Sequence, residues 1–213
     1  MSEPTDRDPR TVGVSPLPPA RARQAGDLLA ASHADYPGFR HLFPDPVRRR
    51  RVLRPFMAAA ARDAATHGHA LVAGDAAGIL GVALWMPPGT FPLSARRKAR
   101  MTPGLLRAAL AARGAFAAFA RAGDVLERDH PPGAFWYLQA LGVHPRAQRR
   151  GVGAALVAPV LAQADGAGVA CHLHTSDPAN IAYYERYGFT VTRPAVAAIP
   201  GGPDYIAMTR PTR

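Results

Sequence analysis

Apolar positions along this chain follow two periods. Helical spacing predicts a helix over 20–32, with Leu28 and Leu29 facing inward, and a second over 46–66. The second helix's apolar set is Val47, Val52, Leu53, Phe56, Met57 and Ala60, and Pro55 inside it is expected to kink or divide it. Short apolar runs at 70–73 and 78–85 predict a β-hairpin turning at 74–77, after a brief candidate strand at 12–14. One or two helices are expected over 103–128, with Leu105, Leu106, Ala109, Leu110, Phe116 and Phe119 on the apolar side. A strand over 134–143 follows, then a helix over 151–165 bent at Pro159, and a strand over 169–175. Asp177-Pro178 makes a good helix start, an N-cap with proline at the first helical position, and Gly188 a natural stop. Runs at 189–191 and 205–208 complete a mixed α/β pattern, with a polar tail expected over 1–10 and one domain over 11–213.

Composition narrows the class. Of 213 residues, 48% are hydrophobic and 19% charged, which describes a globular chain with a sizeable core. Cys171 is the single cysteine, so no intrachain disulfide forms. The N-terminus carries early acids and no apolar run, and the apolar stretch around 70–86 is broken by Asp75 and glycines. The expectation is a soluble, cytoplasmic protein, monomeric or homodimeric, without a membrane partner. The net charge of +11 raises nucleic-acid binding. Its clusters are Arg40, Arg48, Arg49, Arg50, Arg51 and Arg54, and then Arg96, Arg97, Lys98, Arg100, Arg107 and Arg113. The charge is mostly arginine spread over an alanine- and proline-rich chain, and no helix-turn-helix, zinc-finger or RNP pattern accompanies it. Solvated helix faces explain it better than a nucleic-acid partner does.

The chemistry concentrates between Phe135 and Phe189. The strand is cut off at His144-Pro145 and followed by Gln148-Arg149-Arg150-Gly151-Val152-Gly153-Ala154, which opens into a helix. Gly151 and Gly153 allow close backbone approach, the first helical turn leaves N–H groups unpaired, and Arg149 and Arg150 add positive charge, so a pyrophosphate fits there. A Gly-x-Gly loop alone also suits a bare strand-to-helix turn. Its context resembles motif A of the GNAT family of N-acetyltransferases, which Gln148, Gly151 and Gly153 match after Leu141-x-Val143-x-Pro145. Asn180 and the run Tyr184-Glu185-Arg186-x-Gly188-Phe189 are similar to the family's later motif.

The resemblance implies an acyl-CoA acyltransferase fold, with a twisted mixed sheet whose central strands splay to admit acetyl-CoA. It implies that the backbone of Leu141, Gly142 and Val143 pairs with the pantetheine arm, and that the Leu141 amide polarises the acetyl carbonyl. It implies that residues 148–154 and Asn180 bind cofactor, and that Tyr184 protonates the departing thiolate. Tyr183 and Tyr187 read as packing residues, and Asn180 could instead serve its helix start. Segments Ala34-Asp35-Tyr36-Pro37, Arg40-His41 and Pro44-Asp45, with the C-terminal end, resemble the puromycin N-acetyltransferase branch, although 85–132 departs from it. Tyr36, His41, Trp85 and Gln139 are the acceptor-side candidates. Many relatives carry a glutamate base on the central strand where this chain has Gln139, leaving water, His33, Asp35, Tyr36 or His41 as alternatives. His172 and His174 share a strand face, but no third metal ligand accompanies them. The expected reaction is direct attack of a small primary amine on acetyl-CoA. Acetylation of protein N-termini or lysines, or a non-catalytic acyl-CoA- or nucleic-acid-binding regulator, are the alternatives.

Overall fold

A computed structural model describes residues 13–75 and 78–212; the tail expected over 1–10, Val12 and the hairpin tip at 76–77 lie outside them. Among the described residues, strands β1 Gly13–Pro16, β2 His69–Asp75, β3 Gly78–Met86, β4 Phe135–Val143, β5 Ala170–Thr175, β6 Thr190–Val191 and β7 Ile206–Arg210 form one sheet. Its order is β1-β2-β3-β4-β5-β7-β6. Every pairing is antiparallel except β4 with β5, which are joined by the crossover helix α6. The helices are α1 Ala22–Ser32, α2 Pro37–Leu42, α3 Pro46–His67, α4 Ala95–Ala112, α5 Phe116–Arg128, α6 Val152–Ala167 and α7 Ala179–Glu185. None is long and apolar enough to cross a membrane.

Strand alternation builds two cores. On β2, Leu71 and Ala73 face a cluster containing Leu156, Val157 and Val160 of α6, while Ala70 and Val72 face Leu29 of α1 and Leu53 of α3. A strand covered on both sides reads as a continuous apolar run, which is why 70–73 stood out in the sequence.

Several expectations need correction. The helix expected from residue 103 begins at Ala95, where the Ser94 hydroxyl caps the Arg97 N–H, and runs on through Pro103. Helix α3 likewise continues undivided past Pro55. The short helix α2, begun by Pro37, was not expected. Val47, Leu106 and Leu110 are exposed, because α3, α4 and α5 leave those faces outside. Helix α4 is fastened to α3 by a buried ion pair in which Arg97 donates through Nε and Nη2 to the Asp63 carboxylate, with Nη2 to Oδ2 at 2.5 Å. The Arg97 Nη1 donates to the Thr90 carbonyl at 2.9 Å.

Candidate active site

The centre of the sheet is split. Strands β4 and β5 pair only from Phe135 with Ala170 to Leu138 with Leu173. Beyond that, β4 continues to Val143 against β3 alone, and β5 continues to Thr175 against β7 alone. The split begins where the β3–β4 register slips: Leu84 opposes Ala140 and Trp85 opposes Leu138, leaving Gln139 as a bulge. The bulge also reverses the faces of β4. Before it, Trp136 and Leu138 join the α6 core; after it, Ala140 joins the α1–α3 core and Leu141 and Val143 pack toward α6. Residues 140–143 therefore present to the gap a backbone edge that no strand among the described residues pairs, with N–H and C=O groups at alternate positions suited to an extended ligand. Among the described residues, the buried Oε1 of Gln139 has no hydrogen-bond partner.

At the far end of that edge, the loop takes the conformation its sequence suggested. Gly151 holds φ 80 as the N-cap of α6, and Arg149 is also left-handed at φ 58. No side chain caps the helix, and the first intrahelical bond runs from the Ala155 N–H to the Gly151 carbonyl, so the N–H groups of Val152, Gly153 and Ala154 lack helical partners. A Cβ on Gly153 would sit 2.5 Å from the Tyr183 hydroxyl, so any larger residue there would push that side chain aside. The exposed Gln148 side chain donates to the Val143 carbonyl at 3.3 Å, tying loop to strand, and Arg149 and Arg150 are exposed beside it. This arrangement suits a pyrophosphate at one end and an extended chain along β4.

Tyr184, on α7, is buried against Phe189, with ring centroids 5.8 Å apart, and lines the gap together with Leu141 and Asn180. Burial pushes its hydroxyl well above the ordinary 10, with Tyr36, Tyr183 and Tyr187 nearby adding to the effect. Asn180 donates to the Thr175 hydroxyl at 3.2 Å. The gap opens into a cavity of about 670 Å³, whose far wall carries Phe39, Phe56, Phe91, Phe116, Phe119 and Tyr137.

An acetyltransferase (GNAT) family model matches residues 86–189, the span from the end of β3 through the gap to Phe189. Residues 86–189 thus match a GNAT acetyltransferase domain. It is similar over its length to a Corynebacterium glutamicum protein described as histone acetyltransferase HPA2 and related acetyltransferase, at 25% identity and TM-score 0.65, covering 95% of this chain and 97% of that one. The fold is shared with arylalkylamine N-acetyltransferase 2 of Aedes aegypti (12% identity, TM-score 0.56, 95% and 99% covered). It is shared also with a Drosophila melanogaster polyamine N-acetyltransferase (16% identity, TM-score 0.53, 93% and 99% covered). The family is one of acyltransferases that draw on acetyl-CoA, and the open β4 edge and uncapped α6 terminus of this span fit that group.

The remaining sequence candidates divide. Tyr36 lines the cavity, where its hydroxyl donates to Thr175 Oγ1 at 2.8 Å and accepts from the Ser176 N–H at 2.7 Å. Gln139 lines it as well. Trp85 does not: it is fully buried in the α6-side core. His41 is exposed, near Gly202, and is outside the cavity wall. Of the base candidates, Asp35 is an exposed residue of the cavity wall 3.7 Å from Arg49, and His33 lines the cavity with Nδ1–H directed to the Leu29 carbonyl at 2.9 Å.

His172 and His174 do share a face, and hydrogen bonds account for both. His172 Nδ1 lies 2.9 Å from the Thr209 hydroxyl and Nε2 3.3 Å from the Asp129 carbonyl. Burial first, and then nearby His174, lower the His172 pKa from 6.5 to about 4. A folded state that binds this proton more weakly than the unfolded chain is fully stable above pH 6.5, and it loses stability as pH falls from there toward 4. The loss over that window is about 3 kcal/mol. Urea midpoints measured from pH 7 to 4 will show it, and His172→Phe will flatten the decline; parallel declines in both proteins would remove His172 as the cause.

Proposed function

We propose that this protein transfers the acetyl group of acetyl-CoA to the primary amine of a small molecule with an aromatic or otherwise apolar body. The observation that carries the reading is the continuity of one cavity, from the unpaired β4 edge beside the α6 N-terminus to the aromatic wall. In this reading residues 148–154 hold the pyrophosphate and the edge at 141–143 holds the pantetheine chain. The Leu141 N–H bonds the thioester oxygen as negative charge develops on it. The amine nitrogen attacks the carbonyl carbon, the carbon–sulfur bond breaks, and the thiolate takes a proton from the Tyr184 hydroxyl, which regains one from solvent as coenzyme A leaves.

The wall chemistry supports an apolar monoamine over a polyamine. Its carboxylates each have a neighbour: Glu127 pairs with Lys98, with Asp124 3.9 Å from the same cation, Asp35 lies 3.7 Å from Arg49, and Asp177 caps the Ala179 N–H. A second cationic centre, as in the agmatine or polyamine substrates named for fold relatives, would meet aromatic rings instead, at the cost of desolvation. Purified protein with acetyl-CoA and an amine panel, read by mass spectrometry, tests this. Phenethylamine-type acceptors should exceed agmatine and spermidine by about tenfold or more in kcat/KM, the scale of one misplaced polar group. Preference for agmatine would overturn the acceptor class and keep the acetyl transfer. Puromycin belongs in the panel because segment 34–45 resembles its acetyltransferases.

A further inference from the structure

The amine's attack leaves a proton that must go somewhere, and Gln139 cannot take it. His174 is the first residue of β5 beyond its pairing with β4, and it turns to the acceptor side of the split. Its Nε2 lies 3.1 Å from Asp129 Oδ2 and its Nδ1 lies 3.3 Å from the Tyr137 hydroxyl. Asp129 is fixed in turn, because its Oδ1 accepts from Arg193 Nη1 at 2.8 Å. A carboxylate on Nε2 sets the tautomer with Nε2–H donating, which leaves the Nδ1 lone pair facing a hydroxyl that lines the cavity. Resting on the acetyl-transfer reading above, we propose that His174 is the base of this reaction, taking the amine's proton through the Tyr137 hydroxyl while Asp129 positions it.

The step balances. As the nitrogen–carbon bond forms, the ammonium N–H proton passes to the Tyr137 oxygen and the Tyr137 hydroxyl proton passes to His174 Nδ1. Tyr137 ends neutral, and the imidazolium is held against the Asp129 carboxylate. His33 also lines the cavity, but its Nδ1 meets the Leu29 carbonyl and the Ser32 hydroxyl, with no carboxylate bonded to its ring to hold a positive imidazolium. The other ionisable groups around His174 are His172, whose ring stands against it on the same strand, and Arg193, which lowers its pKa, as burial does more strongly. Glu127, Tyr36 and Tyr205 stand further round the Tyr137 ring. Asp129 acts oppositely and raises the His174 pKa. Burial alone would raise the Asp129 carboxyl, but bonds from His174 and Arg193 outweigh it and keep it ionised.

Two measurements test the assignment. The first is the pH profile of kcat with phenethylamine. The wild-type rate should fall on an acidic limb below pH 6.5, and His174→Gln should cost about 100-fold in kcat, abolish the limb and leave KM for acetyl-CoA unchanged. Asp129→Asn should move the limb to lower pH, and Tyr137→Phe, which keeps the ring stacked on Phe91, should lower kcat alone. A limb that persists in His174→Gln, or one that vanishes in His33→Gln instead, overturns the assignment. The second is NMR of protein labelled with nitrogen-15 at histidine, with coenzyme A bound, which needs no acceptor. An Nε2–H tautomer for His174 supports the proposal, and an Nδ1–H tautomer at neutral pH overturns it. Absence of turnover with every amine despite the Nε2–H tautomer would sink the amine-transfer reading and this one with it.

Discussion

Tyr184→Phe should lower kcat about 1,000-fold while leaving KM for acetyl-CoA and the melting temperature close to wild type. The ring stays packed against Tyr183 and Phe189, at centroid distances of 5.1 and 5.8 Å, so the substitution removes one hydroxyl and little else. Burial holds that hydroxyl neutral at any working pH. A raised pKa would seem to spoil a proton donor, but the departing thiolate forms in the same apolar gap. Desolvation penalises both anions, so the transfer stays matched in energy. Thiol release measured under acetyl-CoA saturation is the assay. A variant within about threefold of wild type would show that solvent, and not Tyr184, protonates the leaving group.

Asp63→Ala should destabilise the fold by about 3–5 kcal/mol, the usual result of stripping one partner from a buried ion pair. The two side chains are 4% and 10% exposed, and truncation leaves the Arg97 guanidinium buried with only the Thr90 carbonyl. The loss reaches the site, because α4 supplies Lys98, Met101 and Leu105 to the acceptor wall. Urea unfolding of Asp63→Ala and of the double variant Asp63→Ala/Arg97→Met separates the causes. The double variant should recover much of the loss, since the penalty comes from the orphaned charge. No recovery would assign the cost to lost packing.

The elements whose signals are local in the chain were readable. The Asp177-Pro178 start, the Gly188 stop and two apolar periods located α1, α3, α6, α7 and most strands within a few residues. The acceptor half was harder to read. The start of α4 was missed, although Ser94 before an alanine- and arginine-rich run was a usable cap signal. Leu106 and Leu110 were assigned to an apolar face that the packing leaves outside, and Trp85 to a site from which strand parity turns it away.

The sequence by itself determined the loop at 148–154, because a left-handed glycine, an uncapped helix terminus and adjacent arginines act over a single turn of chain. It also determined that a strand, helix and strand flank that loop, and that Tyr184 belongs to the motif after them. Tertiary structure alone decided where the sheet splits and which residues share the acceptor chamber. The bulge at Gln139 depends on how β3 and β4 register against each other, and it reverses the face of every residue after it on β4. The meeting of His174 with Asp129 spans 45 residues and turns on how the end of α5 lies over the sheet. Contacts of that range arise from the packing of whole elements, and no local pattern of residues encodes them.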